Sequence, residues 1–479
     1  MQANKRTAPT TVDGTDCNAQ GLLIPELIDR PVAVDFEAGY VSSDGGALLL
    51  ARLDRSLGYV RRFSQCFTDH RDPELIEHSV EELLRQRVYG LALGYEDLND
   101  HERLKADPLL AACCGKSDVL GERRVREQDR GKALAGKSTL NRLELTPAEA
   151  NASHRYKKVV GDEAALEDFF IEEYVRSLPK RTRRIVLDFD ATDDPLHGHQ
   201  EGRFFHGYYR HYCYLPLYVF AGHRPVMARL RAASGEAASG AVEALAKIVG
   251  AIRRKLPHVK IVVRADSGFC RDELMSWCEE NGVFYLLGIA RNQVLERELK
   301  GALEVAREAA QAREDQTARV FREFGYKAKK WPGAQRRVIG KAEWTAKGRN
   351  PRFIITNLSG EAQALYEREY CARGDMENRI KEQQLDLFAD RTSTGSFRAN
   401  QLRLWLSTLG YLLIDRLRQI GLKGTEWARA SCGTIRLQLF KIGALVKVRV
   451  RRVLLSLSSA YPRRELFGQL SRRLAFGPT

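Results

Sequence analysis

Arg184-Ile-Val-Leu-Asp-Phe-Asp190 and Val259-Lys-Ile-Val-Val-Arg-Ala-Asp266 decide how this chain is read. Each is a short run with apolar alternation that ends on an acid, the pattern of a strand delivering a carboxylate at its C-terminal end. A third acid, Glu377, lies in Tyr370-Cys-Ala-Arg-Gly-Asp-Met-Glu377-Asn-Arg-Ile-Lys381-Glu, which reads as helix. There Tyr370, Arg373 and Glu377 are spaced i, i+3, i+7 and share one helix face. Two carboxylates on strand ends and one on a helix can converge although they lie far apart in the chain. Such a trio suits a pair of hard divalent cations, which activate one oxygen and stabilise another during displacement at phosphorus. An intrahelical ion pair is the plainer account of Arg373 and Glu377. Arg suits phosphate and Glu suits metal, however, and both are offered at one place.

The first strand presents Asp188 and Asp190 on one face, and like charges so placed need a cation or a partner. Asp190 is preferred as the ligand because it stands at the strand end, leading into Ala-Thr. Asp193 and Asp194 lie just beyond it. His197 and His199 read as loop histidines, because no cysteine or carboxylate falls at zinc-site spacing. Tyr208, Tyr209, Tyr212 and Tyr214 read as core and sheet-face residues rather than base-stacking groups. Trp331 and Trp344 read as fillers of a small β core, the alternative being a wedge against flipped DNA bases. Gly131-Lys-Ala-Leu-Ala-Gly-Lys-Ser138 matches the phosphate-loop pattern letter for letter. That motif needs a buried strand before it, which the charged stretch Glu122–Arg130 cannot supply. It is taken as coincidence, and no nucleotide is expected.

Texture changes along the chain. Residues 44–112 carry helical apolar spacing, as in Val80-Glu-Glu-Leu-Leu-Arg-Gln-Arg-Val-Tyr. From 183 onward come β-type runs at Ile185–Asp190, Phe204–Tyr209 and Tyr212–Phe220, then helix Ala241–Lys255, the Asp266 strand, helix Asp272–Asn281 and the run Val283–Ile289. Three strands, helix, strand, helix, strand is the order of an RNase H-like mixed five-stranded sheet, in which the first and fourth strands are neighbours. A charged helix and runs at Ala318–Phe324, Arg337–Thr345 and Arg352–Leu358 follow, and an apolar helix at Phe397–Leu417. The expected organisation is a disordered lead at 1–19, an N-terminal helical DNA-binding domain at 20–150, and a catalytic domain at 151–292 and 361–420. A β-rich insertion at 293–360 interrupts that domain, and a basic region at 421–479 closes the chain. Flanking helices and helical N- and C-terminal regions complete this α/β expectation.

The formal net charge is +15, and residues 421–479 hold 12 Lys/Arg against 2 Asp/Glu. Basic residues there alternate with apolar ones, as around Arg449, Arg451 and Arg452, which suggests a folded cationic face for a polyanion such as DNA. A solvated, solubilising surface is the alternative. The nine cysteines form no C-x-x-C pair, so neither a disulfide framework nor a zinc ribbon is suggested, and a reducing cytoplasm is the simplest setting. No apolar run is long enough to span a membrane, and the first residues carry no secretory h-region.

The chain resembles the DDE transposases of bacterial insertion sequences, group 1. The resemblance rests on Asp69-His-Arg-Asp-Pro-Glu, Gly94-Tyr-Glu-Asp-Leu-Asn-Asp-His, Leu187-Asp-Phe-Asp-Ala-Thr-Asp-Asp-Pro-Leu-His-Gly-His-Gln and Arg264-Ala-Asp-Ser-Gly-Phe. The Tyr370, Arg373, Glu377 stretch, Thr434-Ile-Arg-Leu-Gln-Leu-Phe-Lys-Ile-Gly-Ala and Ser459-Ala-Tyr-Pro extend it over nearly the whole chain. It implies Asp190, Asp266 and Glu377 as the catalytic metal ligands, with Mg²⁺ as cofactor and Mn²⁺ able to substitute. It also implies cleavage at element ends, joining to target DNA, recognition of terminal inverted repeats and a homodimer in a synaptic complex. Related enzymes carry a lysine seven residues after the Glu; here that position is Gln384, and Lys381 is the nearest substitute for contacting DNA beside Tyr370 and Arg373. An RNase H-like nuclease without strand transfer, and an inactive DNA-binding regulator descended from a transposase, are the alternatives.

Overall fold

Period-two alternation puts Ile185, Leu187 and Phe189 into the apolar core on one face of the strand Arg184–Ala191. Asp188 and Asp190 project from the other face. This strand lies inside a mixed sheet of nine strands, not the five expected. In spatial order the sheet runs Arg224–Arg229, Leu217–Ala221, Arg184–Ala191, Lys260–Ala265, Phe284–Ile289, Arg352–Thr356, Arg336–Thr345 and Ala318–Tyr326, with Gly348–Arg349 paired onto Arg336–Thr345. Arg184–Ala191, Lys260–Ala265 and Phe284–Ile289 are mutually parallel, and the other pairings are antiparallel. The computed structural model describes residues 22–24, 28, 32–333 and 335–475, so the lead expected at 1–19 lies outside the described residues.

Three expectations about these elements are corrected. The run Tyr212–Phe220 is not one strand, because Pro216 lacks the N–H that a ladder needs and divides it into His211–Tyr214 and Leu217–Ala221. The run Phe204–Tyr209 shortens to Phe204–His206 and pairs with His211–Tyr214 in a small separate sheet. The second and third strands of the main sheet are therefore Leu217–Ala221 and Arg224–Arg229, joined at Gly222, whose φ of 63° suits a residue without Cβ. The strands of the stretch 293–360 prolong the main sheet, where Arg352–Thr356 pairs with Phe284–Ile289 and covers what would be an open edge. The C-terminal region is not simply helical. It forms the hairpin Ala444–Arg449 and Arg452–Leu457, which pairs with Tyr40–Ser42, before the helix Arg464–Arg473.

Helices Ala241–Lys255, Asp272–Glu280 and Gln293–Gln311 cover the Leu187 face of the sheet. On the opposite face, residues 362–370 cover Val262, Leu286, Ile339 and Ile354. Further along that face, Tyr218 and Phe220 sink into a second core together with helix Phe397–Arg416. This helix is buried on nearly every side, as expected of one that is apolar all round. Its other neighbours are the N-terminal helices, chiefly Val80–Leu93, whose start is fixed by a Ser79–Glu82 capping box. The N-terminal helices and the closing helix thus share one apolar core.

Candidate active site

Register brings the first two acids together. Lys260–Ala265 runs parallel to Arg184–Ala191 with Arg264 opposite Asp188 and Ala265 opposite Phe189. One step further along both chains stand Asp266 and Asp190, side by side at the C-terminal ends of their strands. Asp266 caps the turn Ser267–Phe269, accepting a hydrogen bond from the Gly268 N–H at 2.9 Å. The third acid arrives on helix Gly374–Leu387. That helix does not extend unbroken back to Tyr370, contrary to the sequence expectation. Leu365–Tyr370 is a π-turn and Cys371–Arg373 a 3₁₀ turn, an irregularity common at functional sites. Tyr370, Arg373 and Glu377 nevertheless stay together. Arg373 Nη2 donates to Glu377 Oε1 at 2.5 Å, and Tyr370 interacts with Arg373. Close passage of Tyr370 over the sheet requires Gly288, where a Cβ would come within 2.6 Å of the tyrosine hydroxyl.

The two aspartates of the first strand have different partners. Asp188 is buried and takes a two-pronged pair from Arg264, at 2.5 and 2.8 Å. The same guanidinium donates to the Glu369 carbonyl, tying both parallel strands to the π-turn. Asp188 thus has its cation. Asp190 accepts from the Ala191 N–H, and its nearest cation is Arg373, whose Nη1 lies 3.8 Å from Oδ1. Burial, followed by the charges of Asp266 and Glu377, raises the Asp190 pKa to about 7, while Arg373 pulls it down. Removal of the carboxylate from water is the main cause, and the neighbouring acids add to it. Arg373 Nη1 is itself buried without a hydrogen-bond partner, a donor aimed into the site.

No three His, Cys, Asp or Glu side chains among the described residues stand close enough to hold a metal ion, and Glu377 is turned onto Arg373. The donor set still fits a hard divalent cation. It consists of carboxylate oxygens, and its most buried member carries a charge that a cation would relieve.

Among the other expected residues, Lys381 is exposed one turn beyond Glu377 and makes no ion pair among the described residues. Gln384, at the position of the family lysine, donates to the Asp193 carbonyl and to Asp194 Oδ1 at 3.0 Å, anchoring the loop that follows the Asp190 strand. His197 and His199 are exposed in that loop. Arg449, Arg451 and Arg452 are exposed on the C-terminal hairpin, apart from the acids. Trp331 and Trp344 pack partly buried against the sheet core. The phosphate-loop match has no strand before it, and the Lys137 N–H at its helix start donates to Glu102 Oε1 at 2.7 Å. A carboxylate already stands where a phosphate would be cradled. Arg264 was missed by sequence reasoning, although its alignment with Asp188 follows once the two strands are known to be parallel neighbours.

The family model for the transposase DDE domain, group 1, matches residues 24–478. The chain belongs to that family, and with it to the DDE transposases, whose substrate is DNA. No curated protein matches it. No described helix is long and apolar enough to cross a membrane.

Proposed function

We infer that this protein cleaves DNA at the ends of an insertion element and joins them to target DNA, on an RNase H-like sheet, with Asp190, Asp266 and Glu377 as its catalytic acids. The observation that supports this reading is geometric: parallel register sets Asp190 and Asp266 at the ends of neighbouring strands, and Arg373, which pairs with Glu377, lies 3.8 Å from Asp190. The five main-sheet strands between Arg184 and Ile289, in spatial order three, two, one, four, five, agree with that architecture. Divalent cations held by the three carboxylates would supply an activated oxygen nucleophile and stabilise the leaving oxygen. The remaining work belongs to protein groups. Arg373 Nη1, buried without a hydrogen-bond partner, offers a donor to a phosphate oxygen, while its Nη2 is held by Glu377. The Arg264–Asp188 pair locks the register that sets Asp190 beside Asp266.

Asp190→Asn, Asp266→Asn and Glu377→Gln should each reduce strand cleavage by at least about 10³-fold, equivalent to ~4 kcal/mol, while folding and DNA binding persist. Cleavage of DNA carrying the flanking inverted repeats, followed in gels with Mg²⁺, measures this. An active Asp190→Asn enzyme beside a well-folded but inactive Asp188→Asn enzyme would transfer the role to Asp188. Cleavage without joining would leave a nuclease, and end binding without either reaction a regulator.

A further inference from the structure

Next to the acids stands a hairpin that has no task in the cleavage chemistry. Arg203-Phe-Phe-His-Gly-Tyr-Tyr-Arg-His-Tyr212 contains aromatic, cationic and imidazole side chains and no acid. Its rings are not core. Tyr208 is 83% exposed, Phe205 50%, Phe204 47% and Tyr212 43%. Pairing sets Phe205 opposite Tyr212 on one face and His206 opposite His211 on the other. The hairpin is anchored through Cys213, buried with Leu215 and Ala233, against which Tyr209 packs. Arg203 lies 4.5 Å over the Tyr212 ring, and Tyr208 and Tyr209 meet edge to face with their centroids 5.0 Å apart.

One contact places this hairpin beside the acidic site. His211 Nε2 lies 2.8 Å from Asp193 Oδ2, in the loop leaving the Asp190 strand.

We propose that the Phe204–Tyr212 hairpin is a stacking platform for unpaired bases of single-stranded DNA at the acidic site. The proposal rests on the DNA-cleavage reading and adds the form of DNA that is held there. Every base has a π-face, so exposed rings bind it without regard to sequence, while interleaved cations follow the phosphates. Arg203, His206, Arg210 and His211 are interleaved with the exposed rings and no acid lies between Arg203 and Tyr212, a charge pattern that complements a phosphate backbone.

The test uses the full-length protein in EDTA, so that its outcome is independent of cleavage. Fluorescence anisotropy compares a labelled oligothymidylate with a blunt random-sequence duplex. Tyr208→Ala and Phe205→Ala should each weaken oligothymidylate binding about tenfold and duplex binding less than about twofold, and Tyr208→Phe should bind like the parent. Tyr208 is exposed, so its replacement leaves the core intact, and an unchanged melting temperature checks this. Equal losses on both probes, or none on either, overturn the platform. A change in oligomeric state with oligothymidylate affinity intact also overturns it, in favour of a second copy of the chain. Asp190→Asn should bind both probes normally; if it is also inactive in cleavage while the ring variants lose oligothymidylate, both readings stand separately.

Discussion

Asp188 and Asp190 sit two residues apart on one strand face and differ only in their company. Asp188 meets the buried Arg264 guanidinium in a two-pronged pair, whereas Asp190 meets other acids. The difference can be measured as pH dependence. A carboxylate whose pKa rises on folding binds protons more strongly in the native state, so stability falls as pH rises from its unfolded value near 4 towards its folded value of about 7. Metal-free protein should therefore lose stability across that window, and Asp190→Asn should flatten the loss. Mg²⁺ competes with the same proton, so its stabilising effect should be larger at pH 8 than at pH 6 and nearly absent in Asp190→Asn. Thermal melts with and without Mg²⁺ at the two pH values check both; an Mg²⁺ effect that is independent of pH would mean that Asp190 does not bind the ion. Sequence alone showed two candidates on this strand, because a period of two says which face a residue occupies and nothing about what crosses from the neighbouring strand.

At the scale of elements, the C-terminal hairpin joins unlike demands. Arg449 stands directly opposite Arg452, and like charges so paired weaken a hairpin. Neither these two nor Lys447 or Arg451 forms an ion pair among the described residues, and Val450 at the turn is fully exposed. A polyanion relieves this repulsion. Replacing Arg449, Arg451 and Arg452 by Gln should weaken binding to specific and random duplexes by similar factors. The slope of log affinity against log salt should fall by about 0.9 for each phosphate that is no longer neutralised. Titrations at several salt concentrations decide; an unchanged slope would make the charges ordinary solvated surface. The hairpin itself was not legible beforehand. Alternating basic and apolar residues suit a strand or an irregular basic face equally, and the partner strand Tyr40–Ser42 lies at the other end of the chain. Pro216 was legible in principle, since a residue without an N–H seldom continues a central strand, but the apolar run around it masked the break.

In the whole molecule, residues remote in sequence share one core and one charged knot. Glu144 is fully buried between Arg87 at 2.9 Å and Arg403 at 2.7 Å, joining the N-terminal helices to helix Phe397–Arg416. These guanidinium groups outweigh burial and hold its carboxyl below the usual range. A lowered carboxyl pKa contributes stability that is present above the unfolded value and lost as pH falls through the folded one. Glu144→Ala leaves two buried or half-buried cations unpaired and should cost about 3–5 kcal/mol. Because the knot and the core join both regions, they should unfold in one transition in the parent protein. Circular dichroism melts of parent and variant test this; a silent Glu144→Ala would show that the knot adds nothing, and two separated transitions in the parent would show two independent units.

Local periodicity was enough to mark helices Ala241–Lys255 and Phe397–Arg416 and the strands that lead to Asp190 and Asp266. Burial leaves its imprint on the order of apolar residues within each element, so those features needed no knowledge of neighbours. Tertiary structure alone decided that the strands after Gln311 extend the sheet, that Arg264 claims Asp188, and that Glu102 occupies the helix start of the phosphate-loop match. Each depends on which groups meet across long chain separations. Such meetings are set by sheet register and by the packing of whole faces, which a linear pattern does not contain.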